Sequence, residues 1–474
     1  MASPAGRWVL AASVLGSGMV ALDATVVNIA MPAIARDLGG SMASLQWISA
    51  AYALTLAGFM LLGGALGDRY GQKRIFVIGV IWFAASSFLC GVAPDMKLLI
   101  VSRGVQGIGG ALVAPGSLAL IQSSFHPDDR GPAIGAWSGL GGLMAAIGPF
   151  LGGWLIQSAS WRYIFYINLP IAAVSIALVT RHVVAAETPP ARGRLDWRGL
   201  VLAVAGLGGF CYAFIEGPGL GFDAPVVLGS LAVSGVAWIV FVRVERRQPA
   251  PMVDLAIFRS RQFVSANVIT FIVYAALSGT IFLLPIELQM VAGYSPLQAG
   301  MALLPITVLL LVLSPRAGRL LHDVGPRLPM TLGPLIAAVG LALFLRIQRG
   351  DYLVEVLPAV LVLGFGLALN VAPLTATVLA AAPTAQAGVA SAINVAVARA
   401  AGLIAVAVLP AIAGIGGGAI SPAEFAGGFR RGVVAAAILC AAGGVLAWLA
   451  IRRPSEAPRP HGKVHRSITS PPSR

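Results

Sequence analysis

Two ionisable side chains stand where the surrounding sequence offers almost nothing polar. Asp23 lies within the apolar run 8–30, and Arg103 within the run 97–122. A charge at the centre of a lipid-facing helix costs about 2.5–3.5 kcal/mol, so such residues must face protein or water. Burial favours the neutral form of a carboxyl, whereas a guanidinium within ~4–6 Å favours the charged form. An Asp whose distance from an Arg changes would take up and release a proton, which is the chemistry of proton coupling. An Asp that only caps a neighbouring helix is the plainer alternative. Arg399, well inside the run 386–413, is a further candidate for substrate binding or coupling.

These residues need long apolar helices to hold them. Of 474 residues, 58% are apolar and 11% charged, against roughly 25% charged in soluble proteins. A span needs about 20 apolar residues. The chain offers fourteen such runs: 8–30, 46–66, 74–93, 97–122, 131–157, 163–181, 198–216, 224–242, 263–289, 297–315, 330–347, 353–373, 386–413 and 431–451. The first is too long for a signal-peptide core and is read as a retained helix. The 57 Gly and 31 Pro suit close helix contact and kinked helices in a chain this apolar.

An even number of spans puts both termini on one side, and basic residues choose the side. With the N-terminus in the cytoplasm, about 23 of the 32 Lys and Arg fall on that side, about 7 outside, and Arg103 and Arg399 within spans. The formal charge of +14 is therefore topology rather than a nucleic-acid surface; the basic residues do not interleave with aromatics. Cys90, Cys211 and Cys440 are widely spaced in apolar runs, and no metal or cofactor signature is present.

Helix rise supports the pairing of the two charges. At about 1.5 Å per residue, Asp23 lies ~13 Å below Pro32 and Arg103 ~9 Å below Lys97, so both fall in the outer half of their helices at similar depth.

Two polar stretches, 182–197 and 243–262, isolate a helix pair between two sets of six spans. The plan is all-α integral membrane, with a six-helix bundle at 8–181, a linker with two added helices at 182–262, a second bundle at 263–451 and a cytoplasmic tail at 452–474. Two bundles can rock about a midplane site. The halves echo each other: Gly64 and Gly71 follow the second span, and Gly318 and Gly325 follow the second span of the later half, with His322 in place of Asp68.

Several segments carry motifs in order. They are Leu22-Asp23-Ala24-Thr25-Val26-Val27-Asn28-Ile29-Ala30-Met31-Pro32, the 64–74 loop, Arg103 with Gln106, Gly107 and Gly109, Gly148-Pro149-Phe150-Leu151-Gly152-Gly153, and Trp161-Arg162-Tyr163-Ile164-Phe165 followed by Asn168-Leu169-Pro170. Together these resemble the fourteen-helix drug:proton antiporter family of the major facilitator superfamily, over residues 8–451. Departures are Gln72 at a usually basic place in the loop and Met144 where a glycine is common. Gly388, Asn394, Arg399 and Gly402 resemble a further segment of that family.

The resemblance implies a proton-coupled exporter of drugs or other small amphipathic molecules, working as a monomer in the cytoplasmic membrane with both termini inside. It implies Asp23 and Arg103 in proton coupling, and Gly64, Asp68, Arg69, Gly71, Lys73 and Arg74 as a gating loop. Asp68 would steady an outward-facing state against the helix entering near residue 386. It implies Gly148, Pro149, Gly152 and Gly153 as a seal between the halves. Asn28, Tyr52, Gln106 and Arg399 are candidates for substrate or coupling. Glu216 and Glu287, near outer helix ends, read as solvated rims, and Trp47 as an interfacial anchor. A dedicated exporter of one metabolite is the alternative. HExxH, Walker A and GxSxG motifs are absent, which argues against an enzyme or an ATP-driven pump.

Overall fold

A computed structural model describes residues 4–183, 196–247, 255–348, 350–383, 386–416 and 421–451. Among them no strand occurs. The first half comprises α1 (Pro4–Leu38), α2 (Met42–Tyr70), α3 (Gln72–Gly91), α4 (Met96–Ser124), α5 (Pro127–Ser158) and a broken sixth span, α6 (Tyr163–Tyr166) with α7 (Asn168–His182). The inserted pair is α8 (Trp197–Leu220) and α9 (Pro225–Arg247). The second half comprises α10 (Arg261–Met290), α11 (Pro296–Ala302) with α12 (Leu304–Val324), α13 (Arg327–Leu343), α14 (Leu357–Ala380), α15 (Ala387–Ile412) and α16 (Pro422–Ala450).

Thirteen helices are long and apolar enough to cross a membrane, and Met42–Met60 with Leu62–Tyr70, bent by 46°, makes a fourteenth. All fourteen expected spans are present as helix. Short polar residues start them: the side chains of Ser41, Asp95, Asp196, Ser260, Ser295 and Ser421 each accept a hydrogen bond from a first-turn backbone N–H. Each satisfies one of the N–H groups that a helix N-terminus leaves without an intrahelical partner.

The 64–74 segment is not the loop that its glycines and charges suggest. Helix α2 runs on through Tyr70 and α3 begins at Gln72, leaving Gly71 alone to reverse the chain at φ +94°. Gly325 turns the chain between α12 and α13 at φ +73°. Both conformations are ones that a Cβ disfavours, and both fall at the positions matched by the internal repeat. The duplication extends to packing. In the first half α1 packs on α5 and α7, α2 on α4, and α3 on α4 and α7; in the second, α10 packs on α15 and α16, α12 on α14, and α13 on α14 and α16.

The chain is thus two six-helix bundles with an inserted pair. Helix α8 joins both halves: Leu207, Cys211 and Ile215 cluster with Ala50 of α2 and with Leu403 and Ala407 of α15. Large apolar side chains such as Ile81, Val201, Val236, Ile438 and Leu449 point outward, as a lipid solvent permits.

The halves meet at the ends of their helices remote from the N-terminus. The Gln46 side-chain amide donates to the carbonyls of Val406 (2.7 Å) and Ala407 (3.0 Å), and Gln289 donates to Ile29 O (2.9 Å). Gly153 lies against Pro296 and Leu297, and Gly300 against the carbonyl of Pro149. At the opposite end of α5, space opens: a Cβ added at Gly131, Gly135, Gly139, Gly141 or Gly142 would meet nothing within 4 Å. The glycines of α5 therefore divide, with close approach confined to Gly148, Gly152 and Gly153.

Candidate functional site

Asp23 is completely buried on α1, and α4 brings Arg103 and Gln106 to it from one turn of helix. Arg103 Nη1 lies 2.5 Å from Asp23 Oδ2 and also donates to Gln106 Oε1 at 2.6 Å. Gln106 Nε2 donates to the other carboxylate oxygen, Oδ1, at 3.0 Å. Asn168 Nδ2, at the start of α7, donates to the same Oδ1 at 3.0 Å and to Ser87 Oγ of α3 at 2.9 Å. Ser87 passes its own proton to the Phe165 carbonyl. Three helices thus meet at one carboxylate, and α3 supports it through Ser87.

The guanidinium is held from its other sides. Arg103 Nε donates to Ile48 O at 3.3 Å, and its carbon lies 4.1 Å from the centre of the Tyr52 ring. Tyr52 is itself anchored, its hydroxyl donating to Val20 O at 3.3 Å. Hydrogen bonds to the remaining groups are what allow a buried ion pair to persist; here both carboxylate oxygens accept, and the guanidinium donates through Nε and Nη1.

Arg103, with Asp23 behind it, forms part of the wall of a cavity of about 550 Å³ between the halves. Asn28, Tyr52 and Arg103 face it from the first half, and Tyr274, Ser278, Asn394 and Arg399 from the second. Asn394 is fixed by hydrogen bonds to Asn267 Oδ1 (3.1 Å) and Thr270 Oγ1 (2.8 Å). Gln106 does not line the cavity; it stands behind Arg103 and ties it to Asp23.

A sequence model described as the Major Facilitator Superfamily matches residues 13–406. The chain belongs to that superfamily. Its relatives include the multidrug resistance protein Stp of Mycobacterium tuberculosis (strain CDC 1551 / Oshkosh), 35% identical over 81% of this chain and 71% of that protein. Another is the puromycin resistance protein pur8 of Streptomyces alboniger, 34% identical over 96% of this chain and 93% of that one. The fold is similar to a crystal structure of a bacterial homologue of the human lysosomal transporter Spinster, inward-facing and unoccupied. The TM-score is 0.67 at 18% identity, covering 95% of this chain and 98% of that one; that likeness concerns the fold alone.

Within this superfamily member the remaining predicted residues fall into separate places. Asp68, exposed, accepts a hydrogen bond from Gln72 Nε2 at 2.7 Å, so the residue that departs from the motif holds the Asp. Lys73 reaches the Val183 carbonyl at 2.6 Å, tying α3 to the end of α7. Gly64 has only Pro115 Cβ nearby, at 3.9 Å, and Arg69 lies over the Tyr70 ring. Arg74 is exposed. Gly148 packs on Thr25, whose hydroxyl donates to Ala145 O at 3.0 Å, which clamps α5 to α1 beside Asp23. The side chains of His322 and Asp323 lie outside the described residues.

Three expectations need correction. Glu287 is no rim residue: it is 2% exposed, and its Oε2 has no hydrogen-bond partner among the described residues. Glu216 is partly buried and accepts from Trp47 Nε1 at 2.7 Å, so Trp47 binds α8 rather than serving as a free interfacial anchor. Position near a helix end does not decide exposure: neighbouring helices bury Glu287, and Trp47 of α2 holds Glu216. Asn168 was missed as a carboxylate ligand, and Ser87 as the residue that accepts from Asn168 behind it. Asn168 stood in a recognisable segment, but Ser87 carried no signal in an apolar run.

The tryptophan-arginine segment has a structural role. Arg162 Nη1 lies 2.6 Å from Asp37 Oδ2 and Trp161 Nε1 donates to the same oxygen at 2.9 Å, while Arg162 also holds Ala93 O. The pair is partly exposed and screened, and such pairs contribute about 0–1 kcal/mol; its value lies in joining α1, α3 and the α5–α6 turn.

Proposed function

We propose that the chain is a proton-coupled antiporter exporting drugs or other small amphipathic molecules across the cytoplasmic membrane by alternating access. One observation carries this reading: a fully buried Asp23 paired with Arg103, which lines a cavity that lies between two bundles joined at one face. A nearby guanidinium favours the carboxylate, and its withdrawal in a buried site favours the acid. A rocking motion that changes how α1 and α4 meet would exchange a proton with one side, then the other. The seal made by Gln46, Gln289 and the α5–α11 contact would break as the opposite face closes.

Residues 8–181 and 263–451 are the rocking units, joined by 182–262. Parts of that linker, and the tail 452–474, lie outside the described residues. Both termini are cytoplasmic in this reading, so the open face is the inner one. Asp68 would engage the N-terminus of α15 once that face closes; Gln386 gives that terminus no side-chain cap, and a helix N-terminus attracts anions. The protein acts as a monomer.

The names of its relatives support export as the direction. They also differ in breadth, one being a multidrug and the other a puromycin resistance protein, which keeps a dedicated exporter of a single metabolite as the second reading. Everted vesicles carrying the protein test the first. An imposed pH gradient should drive accumulation of a fluorescent substrate, and a protonophore should collapse it; accumulation indifferent to the protonophore would refute proton coupling. A susceptibility profile of an overproducing strain separates broad from narrow substrate choice.

A further inference from the structure

The central cavity is charged on one side of the ledger only. Its lining includes two arginines, Arg103 and Arg399, and no Asp or Glu. Asp23 lies behind Arg103 and offsets that charge. Arg399 has no such counterpart: it is exposed into the cavity and makes no hydrogen bond or ion pair among the described residues. The described wall therefore carries one uncompensated positive charge.

An arginine exposed to a cavity inside a membrane protein is solvated there and free to take an anionic partner. Its planar fork of donors matches a carboxylate, sulfonate or phenolate, and charge-assisted hydrogen bonds to such groups are about twice as strong as neutral ones. The neighbours complete an amphiphile's site. Tyr274 and Ser278 of α10 and Asn394 of α15 supply polar contacts, while Leu277, Phe282 and Leu403 supply an apolar surface. A lipophilic cation would meet an unopposed positive charge here and no carboxylate facing the cavity.

We infer that the substrates are amphipathic organic anions, seated with the acidic group on Arg399 and the apolar body along α10 and α15. This rests on the transport reading for its setting, but binding can be measured without transport. It also has an energetic consequence. One proton entering for one monovalent anion leaving moves two positive charges inward, so membrane potential and pH gradient would both drive the exchange. One proton exchanged for one monovalent cation moves none.

Fluorescein and rhodamine 123 share a xanthene frame and differ in charge, which suits them as probes. Binding of each to the purified full-length protein in detergent, followed by fluorescence anisotropy, is expected to favour fluorescein at least tenfold. Arg399→Gln should reduce fluorescein affinity at least tenfold and raise that of rhodamine 123, whereas Arg399→Lys should restore most of the anion preference. Arg346→Gln, an exposed arginine outside the cavity lining, should leave both unchanged. In proteoliposomes an inside-negative potential set with valinomycin should speed fluorescein export.

Equal affinity for the two dyes, or unaltered fluorescein binding in Arg399→Gln, would overturn the inference while leaving antiport intact. Displacement of fluorescein by phosphatidylglycerol at stoichiometric amounts would assign Arg399 to a lipid headgroup and overturn it also. Selective anion binding without any pH-driven movement would uphold the site and refute the antiporter reading instead.

Discussion

Arg103 and Asp23, 80 residues apart in the chain, bring a guanidinium nitrogen and a carboxylate oxygen to 2.5 Å, with both side chains buried. Asp23→Asn retains the shape and most hydrogen-bonding capacity but has no proton to exchange. Normalised to the folded protein present, pH-driven transport in everted vesicles should fall at least tenfold, to background. Unimpaired coupling in this variant would remove Asp23 from the mechanism.

The same pair makes a stability prediction. Removing one partner of a buried pair leaves the other charge unanswered, which costs about 3–5 kcal/mol, whereas removing both is often near neutral. Arg103→Leu should therefore lower the thermal midpoint of the purified protein markedly. The double variant Asp23→Leu with Arg103→Leu should regain most of that loss while remaining inactive. A double variant as unstable as the sum of the singles would mean that the two residues do not interact energetically.

The α5–α11 contact predicts an asymmetry along one helix. Gly153→Val places methyls where Pro296 and Leu297 now lie, and Gly300→Val does so against Pro149. Either should hold the seal apart and raise passive proton entry into pyranine-loaded proteoliposomes severalfold. Gly135→Ala, which meets nothing within 4 Å, should leave the leak at the parental rate in this state.

Gly71 and Gly325 offer a matched pair of backbone tests. An L side chain in the left-handed region costs about 1–2 kcal/mol, so Gly71→Ala and Gly325→Ala should each lower stability by that order in denaturant or thermal unfolding. Gly64→Ala, a helical position with only Pro115 Cβ at 3.9 Å, should be neutral or slightly stabilising.

Much of this was readable from the residues themselves. Span length and the placement of Lys and Arg announce the helices, because the hydrocarbon thickness demands them. Similar depth along α1 and α4 pointed to the Asp23–Arg103 contact, since helix rise converts residue number into height. What stays hidden is rotation. A membrane helix is apolar toward both lipid and protein, so no polar stripe marks its inner face. For that reason Asn168 could not be assigned to the carboxylate, Ser87 to Asn168, nor Tyr274 and Ser278 to the cavity. Glu287 was misjudged for a related reason: height near a helix end does not tell whether α16 covers it. The 64–74 segment misled in another way, because charges and glycines marked a loop where a single positive-φ glycine suffices.

Helix α8 settles who can use a side door. Ala50 and Leu403 present one flank to the cavity and the other to Leu207, Cys211 and Ile215. A molecule dissolved in the bilayer cannot slip in between α2 and α15 while α8 stands there. Within the inserted pair it is α8 that walls this flank of the cavity from the bilayer.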